Sequence, residues 1–101
     1  MGIPQWASVD VKERLKSKKS LQIIDVRQPD EFASGHIPGA KLVPLGELAN
    51  RYHEIDRNTE TVVVCRSGGR SSRACEMLRA NGFANFHNLI GGMLAWDGDI
   101  E

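Results

Sequence analysis

TVVVCRSGGRSS, residues Thr61 to Ser72, runs from an apolar β-branched segment through a cysteine to a glycine pair set between two arginines, and ends on a serine pair. Three consecutive valines without polar alternation suit a strand covered on both faces, the pattern of a parallel sheet sandwiched between helices. Cys65 then stands at the carboxyl end of that strand, where open parallel sheets collect their ligands. Arg66, Ser67, Gly68, Gly69 and Arg70 join it to the next helix, and the glycine pair opens backbone conformations closed to other residues. Such a loop can curl so that its N–H groups converge above the sulfur, forming an anion nest capped by the N-terminus of the following helix. Those amides, the helix dipole and the charges of Arg66 and Arg70 all favour the thiolate, the nucleophilic form of cysteine. A cysteine after three valines also fits a plain core position. The glycines and flanking arginines, which a core thiol does not require, favour the reactive reading. The Gly-x-x-x-x-Gly-Lys-Ser/Thr pattern of a phosphate-binding P-loop is absent.

Outward from this stretch, strand and helix patterns alternate. Ser8 is the expected N-cap of a polar helix through VDVKERLKSK, with Val11 and Leu15 on one face. LQIIDV (21–26) reads as a buried strand, and Pro29 leads a helical turn that stops at Gly35, with another turn at Pro38-Gly39. KLVPL (41–45) is a short strand. GELANRYHEI (46–55) reads as a helix with Leu48, Tyr52 and Ile55 along one stripe. After Cys65 the helix RSSRACEMLRANG carries Ala74, Cys75 and Leu78 on one face and stops at Asn81-Gly82. NFHNL (85–89) is a last strand, Gly91-Gly92 a break and MLAWDG a short closing helix. The alternation predicts an α/β fold, a parallel sheet with helices on both sides.

A chain of 101 residues suits one domain over 1–101. Its 13 basic and 13 acidic residues cancel, so there is no broad cationic footprint for nucleic acid. No apolar run approaches the roughly 18 residues of a membrane span, and MGIPQWASVD lacks the regions of a signal peptide. The expected compartment is cytoplasmic, where Cys65 and Cys75 remain free thiols; ten residues apart, they match neither a disulfide framework nor Cys-x-x-Cys metal spacing. With His36, His53 and His87 scattered, no metal site is expected.

Three blocks in order, LQIIDVRQPDEFASGHIPGA, VVVCRSGGRS and NLIGGMLAW, resemble the signatures of the rhodanese family of sulfurtransferases in its short form. The resemblance implies a three-layer fold with a central parallel sheet of about five strands and a persulfide on Cys65. It implies a two-step reaction in which Cys65 takes a sulfane sulfur from a small anionic donor such as thiosulfate and passes it to cyanide or a thiol. No cofactor is implied. The physical reading agrees: inward amides stabilise a persulfide anion, and Arg66 and Arg70 attract a dianion. A cell-cycle phosphatase family and some arsenate reductases have a similar fold with a longer Cys-x5-Arg loop, whereas Cys65 to Arg70 here is Cys-x4-Arg. The alternative to small-molecule turnover is a persulfide relay or regulatory module serving a sulfur-acceptor protein. An exposed site is compatible with a monomer.

Other residues carry plainer expectations. Asp25 and Arg27 end the second strand and can approach the site, but pairing of Asp25 or Glu31 with an arginine to brace the fold is favoured. His36 is expected to hold its turn by a hydrogen bond, and Cys75 to be buried and structural. Ser71 and Ser72 are expected to cap the helix, with a supporting hydroxyl at the site as the other role for Ser71. Arg73 adds to the positive field or is simply exposed, and Trp6 and Trp96 anchor the chain ends.

Overall fold

The computed structural model describes residues 2–101. Because strand side chains alternate between faces, the covered run after Thr61 feeds two cores at once. Val62 and Val64 join Trp6, Val11, Ile23, Ile37 and Leu89 on one face, while Val63 and Cys65 join Ile24, Leu48, Ala74, Cys75, Leu78 and Phe86 on the other. Val62, Val63 and Val64 are all fully buried, each removing about 1.5–2 kcal/mol of apolar surface from water.

The elements are β1 (Gln5–Trp6), α1 (Ser8–Lys16), β2 (Gln22–Asp25), α2 (Pro29–Ala33), β3 (Lys41–Leu42), β4 (Thr61–Val64), α3 (Gly69–Ala80), β5 (Phe86–Leu89) and α4 (Gly92–Ala95). The sheet has five strands in the order β1-β5-β4-β2-β3, every pair parallel. Val11 of α1 packs on one face and α3 covers the other, giving the three layers expected. Chain connections leave β2 toward β3 at one edge and β4 toward β5 in the opposite direction. Their carboxyl ends therefore flank the point where the winding reverses, the place where such sheets open a crevice. Cys65 follows β4 there.

Three local expectations are corrected. Residues 46–55 do not form one α-helix but two 3-10 segments, Leu45–Asn50 and Tyr52–Glu54, separated by Arg51 at φ −130°. Gly46 and Asn50 are weak helix formers, and the apolar stripe is satisfied anyway: Leu48 and Ile55 are buried. The 41–45 strand is shortened to Lys41–Leu42: Val43 N and Leu45 N still bond Asp25 O and Val26 O at 2.9 and 3.0 Å, but Pro44 caps the first 3-10 segment and the chain turns away there. Ser8 is the first residue of α1 rather than its cap; Ala7 occupies that place, and Asp10 reaches back to the Ala7 amide at 2.8 Å. β1 has no counterpart in the sequence reading, since two residues have no period to detect. Its Trp6 is anchored as expected, stacked on His87 at 3.6 Å with Arg14 over the ring at 3.8 Å. Trp96 donates its indole N–H to the Asp99 carbonyl at 2.9 Å. No helix among the described residues is long and apolar enough to cross a membrane.

Candidate active site

Four residues, Cys65 to Gly68, turn the chain from β4 into α3, whose N-cap is Gly68 at φ +111°. That left-handed conformation is what demands glycine. Gly69 is already helical, has no positive φ and has open space where a Cβ would stand, so only one glycine of the pair is required by the turn. The tight turn aims amides at the sulfur. Gly68 donates its N–H to Cys65 Sγ at 2.9 Å, and the amides of Ser67 and Ser71 add to the stabilisation of charge on the sulfur. The loop's carbonyls face the other way. Cys65 O accepts from Met93 N at 2.9 Å and Arg66 O from Leu94 N at 3.0 Å, so the first turn of α4 holds the loop from behind. A Cβ on Gly92 would lie 2.3 Å from Cys65 O, which explains why the Gly91-Gly92 break sits where it does.

Cys65 is only 1% exposed. Burial pushes its thiol up, but the Ser71 hydroxyl and the amides of Ser71, Gly68 and Ser67 outweigh burial and bring it below the ordinary cysteine value. Cys75 lacks such donors, and burial pushes it up to about 12. It is a core thiol, as expected. The two cysteines thus differ by environment alone.

The arginines act differently from one another. Arg70 was expected to draw an anion, but its guanidinium meets Glu31 end-on, Nη1 to Oε1 at 2.7 Å and Nη2 to Oε2 at 2.8 Å. Its positive charge is therefore largely spent on α2, and its field at Cys65 is minor beside that pair. Arg66 is exposed and has no carboxylate partner among the described residues, which leaves it as the loop's available cation. Asp25 and Arg27 do not reach the sulfur either. They form a buried two-pronged pair, Nε to Oδ1 at 2.9 Å and Nη2 to Oδ2 at 2.8 Å, and Arg27 donates also to Gly35 O at 2.9 Å. They brace the turn after α2, as the structural expectation held. His36 does likewise through Nδ1–H to Phe32 O at 2.9 Å while stacked on Phe32.

The Arg70 hydrogen bonds, seconded by the Gln28 amide, hold the Glu31 carboxyl down at about 2. A depressed carboxylate stabilises the fold above its unfolded value near 4.5 and stops doing so as pH falls through 2. Because the Glu31 and Arg70 side chains are 26% and 35% exposed, solvent screening reduces the worth of the pair to about 1 kcal/mol. Glu31→Gln should lower unfolding free energy by that amount at pH 7, in urea titrations, and the difference from wild type should vanish between pH 4.5 and 2. An equal difference at pH 2 would place the effect elsewhere than in the ion pair.

Neither hydroxyl of the serine pair caps α3 in the expected sense. Ser72 Oγ donates back to Gly68 O at 2.8 Å. Ser71 is fully buried, with Oγ 3.3 Å from Cys65 Sγ, 3.1 Å from Gly68 O and hydrogen-bonded to Asn88 Oδ1. Asn88, on β5, is the site residue the sequence reading passed over. An amide amid the apolar run FHNL was its signal, since a polar residue inside a covered strand needs a partner.

The sequence pattern of the rhodanese-like domain matches residues 8–99. The chain is 37% identical over 99 residues to a putative sulfur carrier protein, YrkF, of Bacillus subtilis, covering 98% of this chain and 54% of that one. It is 36% identical over 101 residues to a putative sulfurtransferase of the same organism, YtwF, covering 100% and 97%. Identity to the thiosulfate sulfurtransferase GlpE of Pseudomonas putida is 33% over 82 residues, 81% of this chain and 74% of that one. The crystal structure of a rhodanese-like domain protein from Staphylococcus aureus superimposes with a TM-score of 0.91 at 36% identity, covering 98% and 97%. A thiol cradled by amides after the central strand, in a sheet of this order and in a chain matched nearly end to end, places this protein in the rhodanese family of sulfurtransferase-type proteins.

Proposed function

We propose that the protein is a sulfurtransferase that carries a sulfane sulfur as a persulfide on Cys65. The observation that carries this reading is the Gly68 amide donating to Sγ at 2.9 Å within a loop whose other amides converge on the same atom. In the first step the Cys65 thiolate attacks the outer sulfur of thiosulfate. The S–S bond of thiosulfate breaks, sulfite leaves with its electron pair, and a Cys65 persulfide anion remains. In the second step cyanide or an acceptor thiolate attacks the terminal sulfur, and Cys65 leaves as the thiolate. Arg66 supplies the attraction for the dianion, and the amides of Ser67, Gly68 and Ser71 stabilise charge on sulfur in both steps. Arg70 contributes by fixing α3 to α2 through Glu31.

Mass spectrometry of the intact protein after thiosulfate treatment tests the reading. The expected result is the gain of one sulfur atom, mapped to the Cys65 peptide and removed by cyanide with release of thiocyanate. Absence of any adduct would overturn it.

A second reading, transfer to a partner protein, is favoured by the exposed aliphatic side chains beside the loop. Leu94, whose amide bonds Arg66 O, is 68% exposed, and Ile90 is 52% exposed. Transfer from the loaded protein to a protein thiol faster than to cyanide would favour it; a cyanide rate equal or higher would favour small acceptors.

A further inference from the structure

The Ser71 hydroxyl has one proton and three acceptors around it: Cys65 Sγ, Gly68 O and Asn88 Oδ1. Which one receives it follows from counting the remaining donors. Gly68 O already accepts from Ser72 N at 3.0 Å and Ser72 Oγ at 2.8 Å, which fills both of its lone pairs. Asn88 Oδ1 is buried in a residue 4% exposed, and Ser71 is its donor. The orientation of the Asn88 amide is set from its far side. Its Nδ2 donates to Gln5 Oε1 at 2.8 Å, and Gln5 Nε2 donates in turn to Ile3 O at 3.1 Å. A backbone carbonyl can only accept, so the chain of bonds has one polarity, from Ser71 outward to the edge strand.

We propose that Asn88 is a positioning residue that keeps the Ser71 proton turned away from Cys65, so that the serine donates to sulfur only when it abandons Asn88. With its proton on Asn88, Ser71 Oγ presents a lone pair to Sγ and accepts the bond from the Cys65 thiol. When Cys65 ionises, the hydroxyl must rotate to the thiolate and leave a buried amide oxygen without a donor, which opposes ionisation. When Cys65 carries a persulfide, Sγ is a neutral bridging atom and a weak acceptor, and the hydroxyl returns to Asn88. The serine proton stays on its own oxygen throughout; only its direction changes. Asn88 thus favours the thiol and the loaded persulfide over the free thiolate, and it ties that balance to β1 through Gln5.

The inference rests on Cys65 as the reactive thiol but not on thiosulfate as its donor. Its test is the pH dependence of iodoacetamide alkylation at Cys65 in the full chain, read from the Cys65 peptide by mass spectrometry so that Cys75 does not contribute. Asn88→Ala frees the hydroxyl for sulfur, so the midpoint should move to lower pH, and alkylation below the midpoint should be about threefold to tenfold faster. In a Ser71→Ala background the same substitution should change nothing. Asn88→Asp keeps the shape of the side chain, grips the serine proton harder and should move the midpoint to higher pH, less so without Ser71. It serves also if Asn88→Ala is poorly folded by thermal melting. A midpoint unmoved or raised by Asn88→Ala, or a shift that persists fully in Ser71→Ala, would overturn the proposal. A confirmed Asn88 shift in a protein that never loads sulfur would sink the sulfurtransferase reading alone.

Discussion

Cys65→Ala should reduce thiocyanate formation from thiosulfate and cyanide to background, a loss of about a thousandfold or more, while the protein remains folded. No other side chain at the loop can replace the thiolate: the Ser71 hydroxyl lies 3.3 Å from the sulfur but has no base beside it. Cys65 occupies a buried place in the larger core cluster. Losing one sulfur atom there leaves a small cavity and costs about 1 kcal/mol, too little to unfold the domain. The three amides that now point at sulfur would face that cavity, and a water can take their bonds. Circular dichroism melts alongside the assay separate loss of chemistry from loss of fold. Cys75→Ala is the companion measurement. Its thiol, pushed up to about 12 by burial, has no part in the reaction, so turnover should stay within about twofold of wild type despite a similar cost in stability. Turnover retained in Cys65→Ala would remove the persulfide from this residue.

Gly92→Ala should be nearly as damaging to activity as loss of the thiol, although residue 92 never meets the substrate. An added Cβ would stand 2.3 Å from Cys65 O and 2.6 Å from both the carbonyl carbon and oxygen of Arg66, all backbone atoms with nowhere flexible to move. Gly92 also has φ +54°, a conformation costly for alanine. Relief requires α4 to back away, which breaks the bonds from Met93 N to Cys65 O and from Leu94 N to Arg66 O. With its carbonyls unclamped the loop loses the geometry that keeps its amides on sulfur. The expected cost is about 2–3 kcal/mol in stability and about a hundredfold in the rate of persulfide formation, the scale of a misplacement of roughly 1 Å at a reacting group. Gly69→Ala is the control. It adds a methyl to open space at the start of α3 and should preserve both activity and melting temperature. Similar behaviour of the two alanine variants would refute the clamp.

Much of the site was readable because it is local. The valine run, the thiol at its end, the left-handed turn at Gly68 and the start of a helix all lie within Thr61–Ser72, and short-range chemistry dictates them. Bracing ion pairs were legible as a type, since Asp25, Glu31 and the arginines are too polar to stand in a small domain without partners, yet which arginine took which acid was not. Arg70 lies 39 residues from Glu31, and no spacing rule connects α3 to α2. The 46–55 helix failed for the converse reason: its apolar stripe met the core requirement in 3-10 geometry just as well, so periodicity could not choose between them.

From its sequence by itself this protein determined a parallel α/β layering, a cysteine at the end of the central strand, and a family resemblance that the match over residues 8–99 bears out. These depend on side-chain periodicity and on conformations that neighbours along the chain control. Only the tertiary structure decided that Arg66 rather than Arg70 is the available cation, that α4 clamps the loop through two carbonyls, and that Asn88 competes with sulfur for the Ser71 proton. Each is a choice among partners far apart in sequence. For Asn88, strand order and register settle it, because Gln5 stands opposite Asn88 on β5, the strand paired with β4, at whose end the thiol lies.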